Sequence, residues 1–377
     1  MRIGLVCPYN YFRPGGVQNC IRDLADELEK RGHYVRIIAP KPKEVPEKIE
    51  SRLILLGGST ELNTPFATKA DVGVSGSAEK AEALLAAEQF DVLHIHEPGV
   101  PVFGLQLLAK SNAANVATLH ACMPDGVVAR SYQRLMSPIA RSIQSKVHVI
   151  TAVSTVAEDT ARTYIPAADI TIVPNGIRLG DFPPAPRKKS GTKKTMLYIG
   201  RLEKRKGVRY LLKAYADFRQ THDNVELILV GDGDLRTSLE SYVVKNQIPD
   251  VIFKGFVSDV ERLRLLRSAD LYCSPALYGE SFGIVLLEAM ATKTVTVAGN
   301  NLGYTSVMQD RGRLSLVNPK STIDFSQRLE LLLYDQPIRE LWLEWASDYV
   351  QQFDYTNIAD QYEAVYKRAI KAKKAAA

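Results

Sequence analysis

The chain has 377 residues, 46% of them hydrophobic and 24% charged, and a formal net charge of +6. That composition excludes a disordered or fibrous chain, and the length favours two domains, each able to bury its own core. No apolar run approaches the ~20 residues that span a bilayer. The four cysteines are scattered without a zinc or disulfide spacing and fit a reducing cytoplasm, and the modest positive charge favours anionic ligands or a membrane surface weakly, without arguing for nucleic acid.

Arg2–Cys7 is a short apolar run with one basic residue and no small-residue cleavage site, so it reads as a first strand rather than a signal peptide. Pro14-Gly15-Gly16 breaks the chain, Val17–Lys30 is amphipathic and ends at Gly32, and Tyr34–Ala39 is a second apolar run. Strand, loop, helix and strand in this order open a parallel α/β sheet. Asp91–His96, Asn115–His120, Val147–Val153 and Ile170–Val173 read as further strands.

From Thr195 the pattern restarts. Met196–Gly200, Val225–Val230, Val251–Lys254, Leu271–Ser274 and Thr294–Ala298 read as strands. Val208–Gln220, Arg236–Asn246, Val260–Ser268 and Ile284–Ala291 read as the helices between them. Gly180–Gly191 carries three prolines and several basic residues, which makes it a linker. The expected organisation is a first Rossmann-like domain over 1–180, a linker over 181–194, and a second Rossmann-like domain over 195–355. A helical tail over 356–377 is expected to pack back on the first domain, its end fraying over Lys371–Ala377. Open α/β sheets bind ligands beyond the carboxyl ends of their strands, so two such domains facing each other would bind in the cleft between them.

The most informative stretch is Tyr278–Met290. Glu280 lies in a glycine-punctuated loop, and Glu288 lies eight residues on, inside the following helix. A loop-to-helix junction offers free backbone N–H groups and a positive dipole end, which suits a phosphate. A carboxylate on each side can hold the hydroxyls of two sugars, as a nucleotide-sugar site requires. An acid/base pair for hydrolysis is the weaker reading, because one loop and one helix do not easily flank a scissile bond.

Gly200–Gly207 holds Arg201, Lys204, Arg205 and Lys206 at a strand's carboxyl end. Arg201 and Lys206 are the expected phosphate ligands, with Lys204 and Arg205 expected to face solvent. Gly15 and Gly16 allow either a close backbone approach to a diphosphate or a plain tight turn. The full G-x-G-x-x-G spacing is absent, which argues against a nicotinamide-dependent oxidoreductase. Asp232-Gly233-Asp234 is expected to be a turn with Asp234 capping the next helix, since a metal there would compete with the basic pair for the same phosphates. His94 and His96 point to one side of their strand and read as hydrogen-bonded histidines near the sheet edge. No third metal ligand is placed beside them, so no metal site is expected. His120 ends another strand and is either a satisfied structural residue or a group facing the cleft.

Together and in order, several of these stretches resemble the retaining GT-B glycosyltransferases of family 4. They are Gly15–Gln18, His94–Pro98, His120, Ala152–Ser154, Val173–Gly176, Gly200-Arg201 with Lys206-Gly207, Val230–Gly233, and Gly279–Gly283 with Glu288. Val6–Tyr9, Pro14–Gln18 and Ser268–Cys273 are similar to bacterial phosphatidylinositol mannosyltransferases, which use GDP-mannose at the inner membrane face.

The resemblance implies an α/β GT-B fold, a nucleotide-diphosphate sugar as donor, and no required cofactor. It implies that Arg201 and Lys206 hold the diphosphate, aided by the backbone at Gly15 and Gly16. Glu280 would bind the sugar with the amides of Ser281, Phe282, Gly283 and Ile284, and Glu288 the ribose. The segment at Val257 would meet the base, with Arg262 near the nucleotide and His120 beside the transferred sugar and the acceptor. The implied acceptor is a lipid, reached by peripheral membrane contact. Over 60–85, where the lipid-binding members carry an arginine and a basic amphipathic helix, this chain has only Lys69 and Lys80 as basic residues, with Glu79 and Glu82. That departure leaves open another lipid or a polyol phosphate as acceptor. A nucleotide-sugar binding protein without catalysis is the remaining alternative, against which Arg201, Lys206 and Glu280 argue.

Overall fold

The computed structural model describes residues 1–13, 15–63, 69–75, 78–100, 102–121, 137–166, 168–183 and 193–376. Pro14, residues 64–68, Cys122, the linker residues 184–192 and Ala377 lie outside the described residues. The chain forms two units, one of Met1–Gly176 with Tyr355–Ala377 and one of Ile177–Asp354.

In the first unit the strands are β1 (Arg2–Val6), β2 (Tyr34–Pro40), β3 (Leu53–Leu56), β4 (Gly58–Asn63), β5 (Lys69–Ser75), β6 (Val92–His96), β7 (Ala114–Leu119), β8 (Val149–Ala152) and β9 (Ile170–Ile172). Seven of them make one parallel sheet in the order β3-β2-β1-β6-β7-β8-β9, and β4 and β5 form a separate antiparallel pair. The helices are α1 (Gly16–Lys30), α2 (Ala78–Glu88), α3 (Phe103–Lys110), α4 over 137–144, and α5 (Thr155–Arg162). A parallel sheet must be covered on both faces, which is why its strands read as continuous apolar runs. On one face Leu5, Ile37 and Val116 pack with Ile21, Leu24 and Leu28 of α1 and with Ile358, Tyr362 and Tyr366 of the last helix. On the other, Val6, Ile38, Leu93 and Ile95 pack with Ala81 of α2 and with Phe103 and Leu107 of α3.

The second unit holds β10 (Lys194–Ile199), β11 (Val225–Val230), β12 (Val251–Gly255), β13 (Leu271–Ser274), β14 (Thr296–Gly299) and β15 (Leu316–Val317). They form a six-stranded parallel sheet in the order β12-β11-β10-β13-β14-β15. Its helices are α6 (Val208–Phe218), α7 (Arg236–Lys245), α8 (Asp259–Ser268), α9 (Ile284–Ala291), α10 (Leu302–Val307), α11 (Thr322–Tyr334) and α12 (Gln336–Tyr349). The last helix, α13 (Tyr355–Ala376), belongs to the first unit.

Several expectations need correcting. The end of α13 does not fray at Lys371: alanine and lysine are strong helix formers, and Lys373 ties the last turn to the carbonyl of Asn112. β6 is the central strand of its sheet, so His94 and His96 are far from a sheet edge. Strands β3, β4, β5 and β15 and helices α3, α4, α5 and α10 carry too short a pattern to be read from the sequence, and α11 and α12, 13 and 14 residues long, are likewise not among the elements expected from the sequence.

Tyr362 is almost fully buried between α13 and the sheet. Tyr362→Ala should therefore cost about 3–5 kcal/mol, as for other large buried aromatics. A shifted urea midpoint followed by circular dichroism checks this; an unshifted midpoint would place α13 outside the core.

Candidate active site

The loop after β10 is held to the loop after β13. Lys204–Lys206 makes one turn of 3-10 helix, and Gly207 follows with φ +72°. A Cβ at Gly207 would lie 2.0 Å from the Pro275 carbonyl oxygen, so no other residue fits. The Leu277 N–H then donates to the Arg205 carbonyl at 2.8 Å. This stitching brings the Arg205 Nη1 (2.9 Å) and Lys206 Nζ (2.7 Å) onto one oxygen of Glu280, Oε1. Arg205 also pairs with Glu203 at 3.0 Å, and Arg201 pairs with the same Glu203 at 2.8 Å.

Arg205 is thus not the solvent-facing residue expected from the charge run. Its side chain is only 15% exposed, whereas that of Arg201 is 49% exposed. The tight turn before Gly207 aims residues 205 and 206 together at Glu280, a geometry that four basic residues among the six of 201–206 do not reveal. The left-handed glycine after the run was the available signal. Three cations face two carboxylates here, so the cluster keeps a net positive charge suited to a diphosphate.

Helix α9 starts beside Glu280. Gly283 precedes it with φ +111° and no side chain caps its first turn. A Cβ at Gly283 would lie 2.7 Å from the Tyr304 ring. The amides after Ser281 and the buried Phe282 therefore open the helix at its positive dipole end, where an anion is favoured. Glu288 sits on the second turn of α9 and receives the Arg262 Nη1 at 2.5 Å. Burial pushes the Glu288 carboxyl up and Arg262 pulls it back. Burial likewise opposes the Arg262 charge, and Glu288 more than restores it. Val257 is half-buried just ahead of Ser258, whose hydroxyl caps α8 by accepting from the Glu261 N–H at 3.2 Å. Arg201, Lys206, Val257, Arg262, Glu280–Ile284 and Glu288 all belong to the second unit.

Asp234 does not cap α7, which begins at Arg236 after Leu235 without a side-chain cap. Asp232 serves the turn instead: it accepts from the Gly233 N–H at 2.8 Å and pairs with Arg236 at 3.3 Å.

Gly15, Gly16 and His120 belong to the first unit. Gly15 caps α1 in an extended conformation and Gly16 is its first residue, again with no side-chain cap. At the ends of β6 and β7 lies a buried histidine cluster. His94 bonds Tyr366 (2.9 Å) and Thr118 (2.6 Å), and its ring packs on His96 with centroids 4.2 Å apart. Rather than pairing with each other, these two histidines bond elsewhere: His96 Nδ1 meets His120 Nε2 at 2.9 Å. The Asn175 side chain lies beside the His120 ring and favours its charged form against burial. Burial holds all three imidazoles neutral, His94 down to about 3 and His120 to about 4. Cys20 of α1 brings its thiol near His96 and His120, with ligand atoms all within 4.8 Å of one another. The bonded nitrogens of His96 and His120 are 2.9 Å apart, closer than the about 3.3 Å between two nitrogen ligands of one tetrahedral zinc. Those two nitrogens are hydrogen-bonded to each other, while His96 Nε2 is buried without a hydrogen-bond partner among the described residues. Glu97 and Asn175 complete the cluster, and neither was singled out from sequence, although both lie in motifs that were.

The profile described as Glycosyltransferase Family 4 matches residues 14–181, and that described as Glycosyl transferases group 1 matches residues 183–347. The phosphatidyl-myo-inositol mannosyltransferase of Mycobacterium leprae is 31% identical over 377 residues, covering 97% of this chain and 96% of that protein. Among solved structures, sucrose-phosphate synthase from Thermosynechococcus elongatus shares the fold with a TM-score of 0.77 at 21% identity, over 98% of this chain and 99% of that one. Anabaena HepE, solved with UDP and glucose, shares it with a TM-score of 0.74 at 19% identity, over 97% and 99%. The chain belongs to the family 4 glycosyltransferases of the GT-B fold, and it is a glycosyltransferase similar to the phosphatidyl-myo-inositol mannosyltransferases.

Proposed function

We propose that the protein transfers mannose from GDP-mannose to a phosphatidylinositol-like lipid, with retention at the anomeric carbon. The observation that carries the donor half is the pair of cations on one oxygen of Glu280, beside the uncapped start of α9. The acceptor half is supported by the name of the mannosyltransferase relative. On this reading Arg201, Arg205 and Lys206 bind the diphosphate, helped by the α9 amides and the backbone at Gly15 and Gly16. When the diphosphate takes up the cations, Glu280 Oε1 is freed to accept hydrogen bonds from the sugar. Glu288, oriented by Arg262, holds the ribose, and the segment at Val257 meets the base. His120 lies beside the transferred sugar and the acceptor hydroxyl.

The bond from the anomeric carbon to the phosphate oxygen breaks as the bond to the acceptor oxygen forms on the same face. The departing phosphate takes the acceptor's proton. The charge that develops is on the leaving diphosphate, so the basic cluster supplies the main stabilisation. The enzyme meets its acceptor as a peripheral protein at the cytoplasmic membrane face; among the described residues no helix is long and apolar enough to cross a bilayer.

One observation favours a second reading, a UDP-sugar donor with a soluble or polyol-phosphate acceptor. Helix α2 carries Glu79 in its first turn and no basic residue in its last, and Glu82 is paired with Lys110 at 2.7 Å. Such a helix lacks the basic face that holds anionic lipid.

Arg201→Ala, Arg205→Ala and Lys206→Ala should each lower kcat/KM by roughly 10²–10³-fold, about 2.7–4 kcal/mol. Near-wild-type turnover by Lys206→Ala would remove the diphosphate assignment. A calorimetric panel of GDP- and UDP-sugars should show GDP-mannose binding most tightly. Binding of UDP-sugars alone would replace the donor but leave the basic site standing. Purified enzyme with GDP-mannose and phosphatidylinositol should yield a mannosylated lipid, and no product would point to the second acceptor class.

A further inference from the structure

The ladder between β6 and β7 ends at the pair His96 and Thr118. The next residue, Glu97, still donates its N–H to the Thr118 carbonyl at 2.8 Å. Its backbone then turns into the left-handed region, φ +48°, which a non-glycine residue rarely adopts. That turn folds the side chain back over the end of β7. There the carboxylate accepts the His120 N–H at 2.5 Å, and the Ala121 N–H beside it also favours the ionised form. The side chain of one strand end thus replaces the carbonyls that the neighbouring strand no longer offers. The ring of His120 is held separately, by His96 Nδ1 at 2.9 Å.

We propose that Glu97 is a positioning residue for His120, its buried carboxylate fixing the backbone from which the imidazole reaches the sugar and the acceptor. This rests on the role given to His120 above. A buried carboxylate that accepts a backbone N–H holds it more firmly when ionised than when protonated. Positioning should therefore weaken as Glu97 takes up a proton.

Burial pushes the Glu97 carboxyl up to about 7, against the two backbone N–H groups that pull it down. Among the described residues, the other titratable groups packed around this end of the sheet and named here do not titrate near neutrality. His94, His96 and His120 from the strands are held neutral by burial. The Cys20 thiol of α1 is pushed up to about 12, and the Tyr362 and Tyr366 phenols of α13 are pushed upward too.

The test is the pH profile of kcat for the full-length wild type, Glu97→Gln and His120→Ala. In the wild type kcat should rise with pH through an apparent pKa near 7. Glu97→Gln should lose that acid limb and lower kcat above it by roughly tenfold or more, with donor affinity by calorimetry unchanged. Melting temperatures give an independent reading. Because the folded-state pKa is raised, the contribution of Glu97 to stability is fully present below its unfolded pKa and is lost as pH rises through about 7. Glu97→Gln does not titrate, so its melting temperature should gain on the wild type over that interval. A wild type with no acid limb near 7, or a Glu97→Gln variant with wild-type kcat and the limb intact, would overturn the inference. If His120→Ala is inactive while Glu97→Gln behaves as wild type, the inference alone falls; if His120→Ala keeps full turnover, the role of His120 falls and the inference with it.

Discussion

A parallel sheet ends all its strands at one edge, and most groups assigned to chemistry in this protein lie at or just after such an end, with Arg262 and Glu288 on the helices that follow. His96, Glu97 and His120 come just after or at the close of β6 and β7. Arg201–Gly207 follows β10, Asp232 follows β11, Val257 follows β12 and Glu280 follows β13. The carboxyl ends of parallel strands leave backbone groups without ladder partners, and the loops there are free to vary while the strands beneath stay rigid. In each unit the sheet decides where polar side chains can converge, and the loops decide which ones do.

Convergence brings like charges together, and the structure shows how that is compensated. In the second unit, Glu203 and Glu280 separate Arg201, Arg205 and Lys206. In the same unit, Glu288 is kept ionisable in a buried setting by Arg262. In the first unit, among the described residues, no ion pair meets Glu97; the backbone N–H of His120 does the work instead. The two units therefore solve the same electrostatic problem by different means, ion pairs in one and oriented peptide dipoles in the other.

Much of the fold was legible in the chain. Apolar runs such as Val225–Val230 and Leu271–Ser274 are buried on both faces and so read without interruption. Amphipathic α1 and α6 carried a clear helical period. Glu280 and Glu288 were legible as candidate ligands because a glycine-marked turn separates them at a helix start. Arg205 was not, because alternation and spacing say nothing about a 3-10 turn that swings two successive side chains onto one oxygen. Glu97 was hidden for a related reason. Its role depends on a left-handed backbone at a non-glycine residue, which no residue-type rule anticipates. Contacts between distant segments, such as Tyr366 with His94 or Asn175 with His120, are set by topology and have no local signature.

Helix α13 has a consequence for how the molecule is made. The second unit is continuous in the chain, from Ile177 to Asp354, and can close as soon as those residues emerge from the ribosome. The first unit cannot. One face of its sheet waits for Ile358, Tyr362, Val365 and Tyr366, which are synthesised only after the whole of the second unit. The domain begun first is thus completed last, and until α13 is made the apolar face around Leu5, Ile37 and Val116 lacks the cover of Ile358, Tyr362 and Tyr366.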